Sequence, residues 1–136
     1  MKRTLIIFGM FWLLVFGAYG LYMGFQDDIH EEQMEALAEA GNLESFWEAW
    51  EGWKVLANAH AHALGFAILA LLFGLAFEEI HLSDKLKQIM GLLLIVGSIV
   101  SSVFQVFYSE NLLGLGHLLV FFAIVLVFVG AIKKAS

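Results

Sequence analysis

Four nearly uncharged blocks constrain this chain more than any other feature of its sequence. In the 136-residue sequence they cover Leu5–Phe25, Val55–Phe77, Ile89–Phe107 and Leu112–Ile132. Each block reaches the roughly 17–25 apolar residues that a helix needs to cross about 30 Å of hydrocarbon. Strands of a membrane barrel would be about half as long and would alternate apolar and polar residues. We therefore predict an all-α, integral membrane four-helix bundle.

Composition limits the function classes that are open to such a bundle. Hydrophobic residues make up 61% of the chain, well above the roughly 45–50% of soluble domains, and the length predicts a single domain over 1–136. The absence of cysteine excludes thiolate metal sites and disulfides. A net charge of −6 without a basic stripe argues against nucleic acid as a partner, with membrane lipid expected instead. The sequence shows neither a nucleophile–base pair nor paired carboxylates within the spans, so it gives no indication of a catalysed reaction.

The basic residues predict the orientation of the bundle. One side of the four spans carries Lys2, Arg3, Lys85, Lys87, Lys133 and Lys134, and the other side carries only Lys54. By the positive-inside rule, both termini are cytoplasmic. The expected location is the inner membrane of the cell, with the 26–54 loop on the outer, periplasmic side. The basic start and apolar run resemble a signal peptide, but the run is longer than usual, so we expect a retained first span.

The 26–54 loop is acidic and aromatic. It holds nine of the thirteen acids of the chain, and its 31–40 segment predicts an interfacial helix that stops at Gly41-Asn42. Aromatic residues then follow at helical spacing: Phe46, Trp47, Trp50 and Trp53. One interpretation is that they anchor the chain at the headgroup level. The alternative is a docking surface for a redox protein with basic patches.

Three histidines lie in the predicted spans at one depth. His60 and His62 are in the second span and His117 is in the fourth, which runs in the same direction. All three lie roughly 8–10 Å below the outer ends of their helices. The outer end of the third span places Gln105 and Tyr108 in the same layer. Ionisable residues within a membrane helix are candidates for function, and the alternative is that they only hydrogen-bond across helix contacts.

The spacing of the first two histidines restricts what they can bind. Residues two apart on a regular α-helix point about 200° apart, so His60 and His62 belong to two sites, or to one site and a structural contact. We predict that His62 and His117 are the axial ligands of a b-type haem. Asn58 and Gly65 flank His62, and Lys54 is placed to meet a haem propionate.

Other assignments of the histidines remain open at this point. His60 is available for a second haem or metal, or for a contact at a subunit interface. With haem, the predicted role is electron transfer or haem-based sensing, in a homo-oligomer or as a subunit of a larger respiratory assembly. A second hypothesis is a copper or zinc site on the outer face that uses His60, His62 and His117. A third is a non-redox accessory subunit that braces a partner through its glycine and serine stripes.

The His60-Ala-His62 motif also carries a family resemblance. With Gly65 behind it and the Gly20–Gly24 segment in the first span, the first half of the chain resembles small membrane proteins related to subunit I of haem–copper oxidases, of the cbb3-type and nitric-oxide-reductase branch. In the large oxidases, two histidines with this spacing ligate two haems on opposite faces of one helix. The resemblance implies haem binding. The chain has too few histidines for a copper site beside a haem, so the resemblance does not imply oxygen or nitric oxide reduction.

Overall fold

The chain forms four long α-helices connected in sequence. A computed structural model describes residues 1–106 and 110–135 and, within them, the side chains of all but 106, 110–113, 134 and 135. The helices are α1 (Lys2–Glu39), α2 (Leu43–Leu75), α3 (Asp84–Val106) and α4 (Glu110–Ala135), with a short 3-10 turn at Phe77–Glu79. All four are long and apolar enough to cross a membrane. The prediction of an all-helical bundle of four helices, each long and apolar enough to cross a membrane, is confirmed.

The 26–54 segment differs from the sequence prediction. Instead of a loop with its own interfacial helix, α1 continues without a break to Glu39 and α2 begins at Leu43. No proline interrupts the segment, and the chain reverses at Gly41, whose φ of 67° suits glycine. Asn42 then caps α2 by accepting a hydrogen bond from the Ser45 backbone N–H at 3.3 Å. We call residues 26–54 the acidic hairpin.

Neighbouring helices pack in antiparallel pairs. α1 packs against α2, α3 packs against α4, and α2 joins the two pairs through α3. At one end of the bundle, Lys2 Nζ lies 3.4 Å from Glu78 Oε1. At the same end, the His81 backbone N–H donates to the Gly130 carbonyl at 3.2 Å. The start of α1, the 76–83 turn and the end of α4 therefore lie together, and the tip of the acidic hairpin lies at the opposite end.

The buried core is small and is built from all four helices and the turn after α2. Its cluster comprises Leu5, Phe66, Ala70, Phe73, Ile80, Met90, Leu94, Val120 and Ala123. Many large apolar side chains point outward instead, including Leu14 at 72% and Phe25 at 79% exposure. In a soluble protein such an apolar surface would drive aggregation, whereas in a bilayer it is the surface that faces lipid.

Glycines set the close approach of α3 and α4. A Cβ added to Gly116 would lie 2.8 Å from Ser101 Cα, and one added to Gly97 would lie 2.8 Å from the Gly116 carbonyl oxygen. These neighbours are backbone atoms, which cannot move aside as a flexible side chain can. Small residues of this kind let membrane helices pack closely. The α3–α4 contact therefore depends on Gly116.

We expect Gly116→Ala to destabilise the bundle by about 1–3 kcal/mol, because the added methyl group pushes α4 away from the α3 backbone. The measurement is thermal unfolding in detergent, followed by circular dichroism. Gly114→Ala is the matched control, since no described atom lies within 4 Å of its added Cβ. Equal melting temperatures for the two variants would contradict the close approach.

Candidate functional site

The His62 and His117 rings meet between α2 and α4. Their ring centroids are 4.8 Å apart with an interplanar angle of 82°, an edge-to-face contact. His62 is exposed at the side of the bundle, and His117 is half-buried. Two imidazoles on different helices thus share one small volume at the level where the acidic hairpin leaves the bundle.

Helix α3 supplies hydrogen-bonding groups to both rings. Gln105 Oε1 lies 3.2 Å from His62 Nδ1, and Ser101 Oγ lies 3.2 Å from His117 Nδ1 and 3.4 Å from its Nε2. Gln105 is only 8% exposed and Ser101 is fully buried. When His62 Nδ1 carries the proton, it donates to the Gln105 carbonyl oxygen, which holds the ring in place and leaves Nε2 as the basic nitrogen.

Phe66 closes the site on the side of the hydrophobic core. Its ring centroid is 6.1 Å from that of His62 and 5.7 Å from that of His117, and only 7% of the residue is exposed. Sequence reasoning did not select Phe66, since an aromatic residue in an apolar span carries no chemical signal. Its position four residues after His62, on the same helix face, was the available hint.

His60 lies on the other side of α2, against α1. A Cβ added to Gly20 would lie 2.7 Å from His60 Nε2, and the His60 and Tyr19 ring centroids are 6.1 Å apart. His60 Nδ1 is buried and has no hydrogen-bond partner among the described residues. The structure therefore does not bring His60 together with His62 and His117.

The remaining predicted site residues surround His62 less closely. Asn58 and Gly65 are exposed on the same side of α2, and no described atom lies within 4 Å of a Cβ added to Gly65. Lys54 Nζ pairs with Glu51 Oε1 at 2.6 Å on the acidic hairpin. Tyr108 lies outside the described residues.

The ring separation bears on whether a haem fits between the two histidines. Two imidazoles on opposite sides of a haem iron have centroids roughly 6 Å apart, given metal–nitrogen bonds of about 2 Å. The observed 4.8 Å leaves no room for a porphyrin between the rings. It is the separation of an ordinary edge-to-face ring contact, and it is also short enough for both imidazoles to reach one ion.

Other ligands at such an ion would come from oxygen. Within residues 1–106 and 110–135, the structure contains no group of three or more His, Cys, Asp or Glu side chains placed to hold a metal ion. Among the described residues, the Gln105 amide and the Ser101 hydroxyl lie within hydrogen-bonding distance of the two imidazoles. The described part of the site therefore combines a histidine pair with two neutral oxygen groups.

Comparison with known proteins does not identify this site. No protein-family model, no curated protein and no solved structure matches the chain. The resemblance of the His60-Ala-His62 segment to haem–copper oxidase subunit I therefore stays a prediction.

The packing of His60 on Gly20 generates a prediction. We expect Gly20→Ala to destabilise the α1–α2 pair by about 1 kcal/mol, less than Gly116→Ala, because the methyl group occupies the space of an imidazole that can partly move aside. The measurement is again thermal unfolding in detergent. Gly17→Ala is the control on the same helix, with no described atom within 4 Å of its added Cβ.

A second variant isolates the cause of that loss. If the clash is with His60, the double variant Gly20→Ala with His60→Ala recovers part of the lost stability, so that the two effects are not additive. Additive losses would show that the methyl group disturbs something other than the imidazole.

Proposed function

We propose that this chain is a multi-pass membrane protein that binds a transition-metal ion, copper or zinc, through His62 and His117. The observation that carries the proposal is that two imidazoles from different helices meet with ring centroids 4.8 Å apart, close enough for both to reach one ion. Imidazole nitrogen is a preferred ligand of copper and zinc. Calcium and magnesium prefer oxygen ligands, so the histidine pair disfavours them.

The hydrogen bond from His62 to Gln105 supports the proposal. Histidines that ligate metals usually donate their second ring N–H to a carbonyl or carboxylate oxygen, and this fixes the tautomer and the direction of the ring. The His62 Nδ1 to Gln105 Oε1 distance of 3.2 Å provides such a contact, and Gln105 is itself held in a buried position. His62 Nε2 is then the ligand nitrogen.

We place the site in the outer half of the membrane. The basic residues, six against one, favour cytoplasmic termini, and the acidic hairpin then lies on the periplasmic side of an inner membrane. With copper, the site would carry single electrons between redox partners. With zinc, the same ligands would stabilise the α2–α4 contact without redox chemistry.

The protein purified in detergent is expected to bind one copper or zinc ion for each His62–His117 pair. His62→Ala and His117→Ala should each weaken binding by at least about 100-fold, because each removes one of the two imidazoles. Isothermal titration with each metal measures the affinity, and elemental analysis measures the stoichiometry. His60→Ala is the matched control, since it removes an imidazole from the opposite side of α2 and should leave the affinity unchanged.

Gln105→Leu tests the orienting role of the amide in the same titration. The expected loss is about 10–100-fold in affinity, with both ligand imidazoles retained. Equal losses of metal affinity for His60→Ala and His62→Ala would contradict the assignment of the site to His62 and His117. The absence of metal binding by the wild-type protein would contradict the proposal itself.

A b-type haem is the second candidate, and the surface around His62 favours it. His62, Asn58 and Gly65 are exposed along one side of α2, and Gly114 on α4 also has open space beside it. A polar notch of this kind is costly to leave facing lipid. Haem binding there would require the His62 and His117 rings to separate, and the group would supply one-electron chemistry when bound.

If haem is the ligand, protein produced with added haem precursor shows a Soret band and reducible α and β bands in detergent. His117→Ala should then convert or abolish the low-spin spectrum, because it removes one of two axial imidazoles. A colourless preparation that still binds copper or zinc would exclude haem and retain the bare ion. A spectrum unchanged in His117→Ala would exclude His117 as an axial ligand.

A further inference from the structure

The acidic hairpin contains a cavity of its own, separate from the histidine pair. It measures about 420 Å³ and lies in the groove between the outer parts of α1 and α2. Cavities of roughly 300–1,000 Å³ with apolar walls and a few polar groups are typical of small-molecule sites. The nearest lining residue to the histidine pair along α2 is Trp53, nine residues and roughly 13 Å before His62.

Aromatic rings form one wall of this cavity. Phe46, Trp50 and Trp53 line it from α2, and Trp50 remains 44% exposed. Trp53 is held in place by stacking on His30, with ring centroids 4.5 Å apart and an interplanar angle of 20°. The indole face carries negative partial charge, so it attracts cations, especially those with weakly hydrated organic groups.

Carboxylates form the facing wall. Asp27, Glu31 and Glu35 line the cavity from α1 at spacings of four residues, so they follow one helix face over roughly 12 Å. That spread does not converge on a single metal ion, and no metal-binding group of three is found in the described part of the chain. An extended negative wall opposite indole rings instead suits an elongated organic cation.

The cavity wall also holds an unsatisfied polar atom. His30 Nε2 is buried and has no hydrogen-bond partner among the residues that the structure describes. Buried nitrogens are normally paired with protein or water. Because this atom is shielded from solvent, a ligand in the cavity does not contact it in this structure.

From these walls we infer that the acidic hairpin binds a small amphiphilic organic cation, a quaternary or protonated amine with an apolar body. The cationic centre lies between the indole of Trp50 and the carboxylates of Glu31 and Glu35, and the apolar body packs on Phe46. Nine acids within 27–51 make anionic lipid headgroups and a second copy of the same hairpin unfavourable occupants, because each brings like charge. The inference does not depend on metal binding by His62 and His117.

The test uses the full chain in nanodiscs of zwitterionic phosphatidylcholine, titrated calorimetrically with benzyltrimethylammonium. The uncharged isostere neopentylbenzene is titrated in parallel, with empty nanodiscs subtracted in both cases. The expected result is saturable one-to-one binding of the cation at least about tenfold tighter than that of the isostere, because the isostere lacks the attraction to indole and carboxylate. No saturation, or equal affinity for the isostere, overturns the inference.

Paired variants then locate the site. Trp50→Leu and Glu31→Gln should each weaken cation binding by about fivefold. Trp47→Leu and Glu32→Gln remove the same groups from neighbouring positions that do not line the cavity, and each should change the affinity by less than about twofold. Equal losses in Glu31→Gln and Glu32→Gln would show that the cation responds only to the diffuse charge of the hairpin. If hexalysine binds more tightly than benzyltrimethylammonium, the occupant of the cavity is a basic protein segment, and the inference of a small organic cation is overturned.

Discussion

The arrangement of this bundle depends on one constraint, the regularity of α2 inside the membrane. Hydrocarbon offers no partners for backbone N–H and C=O groups, so a spanning segment must satisfy them through its own helical hydrogen bonds. A regular helix separates residues two apart by about 200°. His60 therefore packs against Gly20 on α1, while His62 reaches Gln105 on α3 and His117 on α4. One helix links the two halves of the bundle through two histidines with different environments.

Helix α3 completes the site because it carries the buried polar groups. It buries Ser98, Ser101, Ser102 and Gln105, of which Ser102 Oγ has no hydrogen-bond partner among the described residues. Burying a polar group costs free energy unless it is hydrogen-bonded. Ser98 Oγ donates to the Leu94 carbonyl at 2.6 Å, whereas Ser101 and Gln105 bond to the two imidazoles. The same hydrogen bonds thus stabilise the helix packing and orient the candidate ligands.

Because the helices differ in length, the acidic hairpin and the histidine pair lie at different levels along α2. α1 and α2 have 38 and 33 residues, against 23 for α3, so the acidic hairpin extends roughly 15–22 Å past the end of α3. Charged groups are excluded from hydrocarbon, which keeps Glu31 and Glu35 in water while His62 stays at the level of the spans. The aromatic cavity and the histidine pair share α2, but the cavity lies in the charged hairpin and the histidine pair lies in the apolar part of the helix.

The sequence by itself determined the helical class, the four spans and the opposite directions of His60 and His62, because apolar block length and helical periodicity are local properties. It also selected Gln105. Only the tertiary structure decided that α1 continues through 26–39, since helix propensity does not tell a continuous helix from a broken one. The sequence paired His62 with His117 through a haem, whereas their direct ring contact depends on how the helices rotate about their axes. The closure of the site by Phe66 and the facing walls of the hairpin cavity depend on the same rotation. That rotation is set by close packing at glycines such as Gly116 and Gly20, which join residues far apart in the chain.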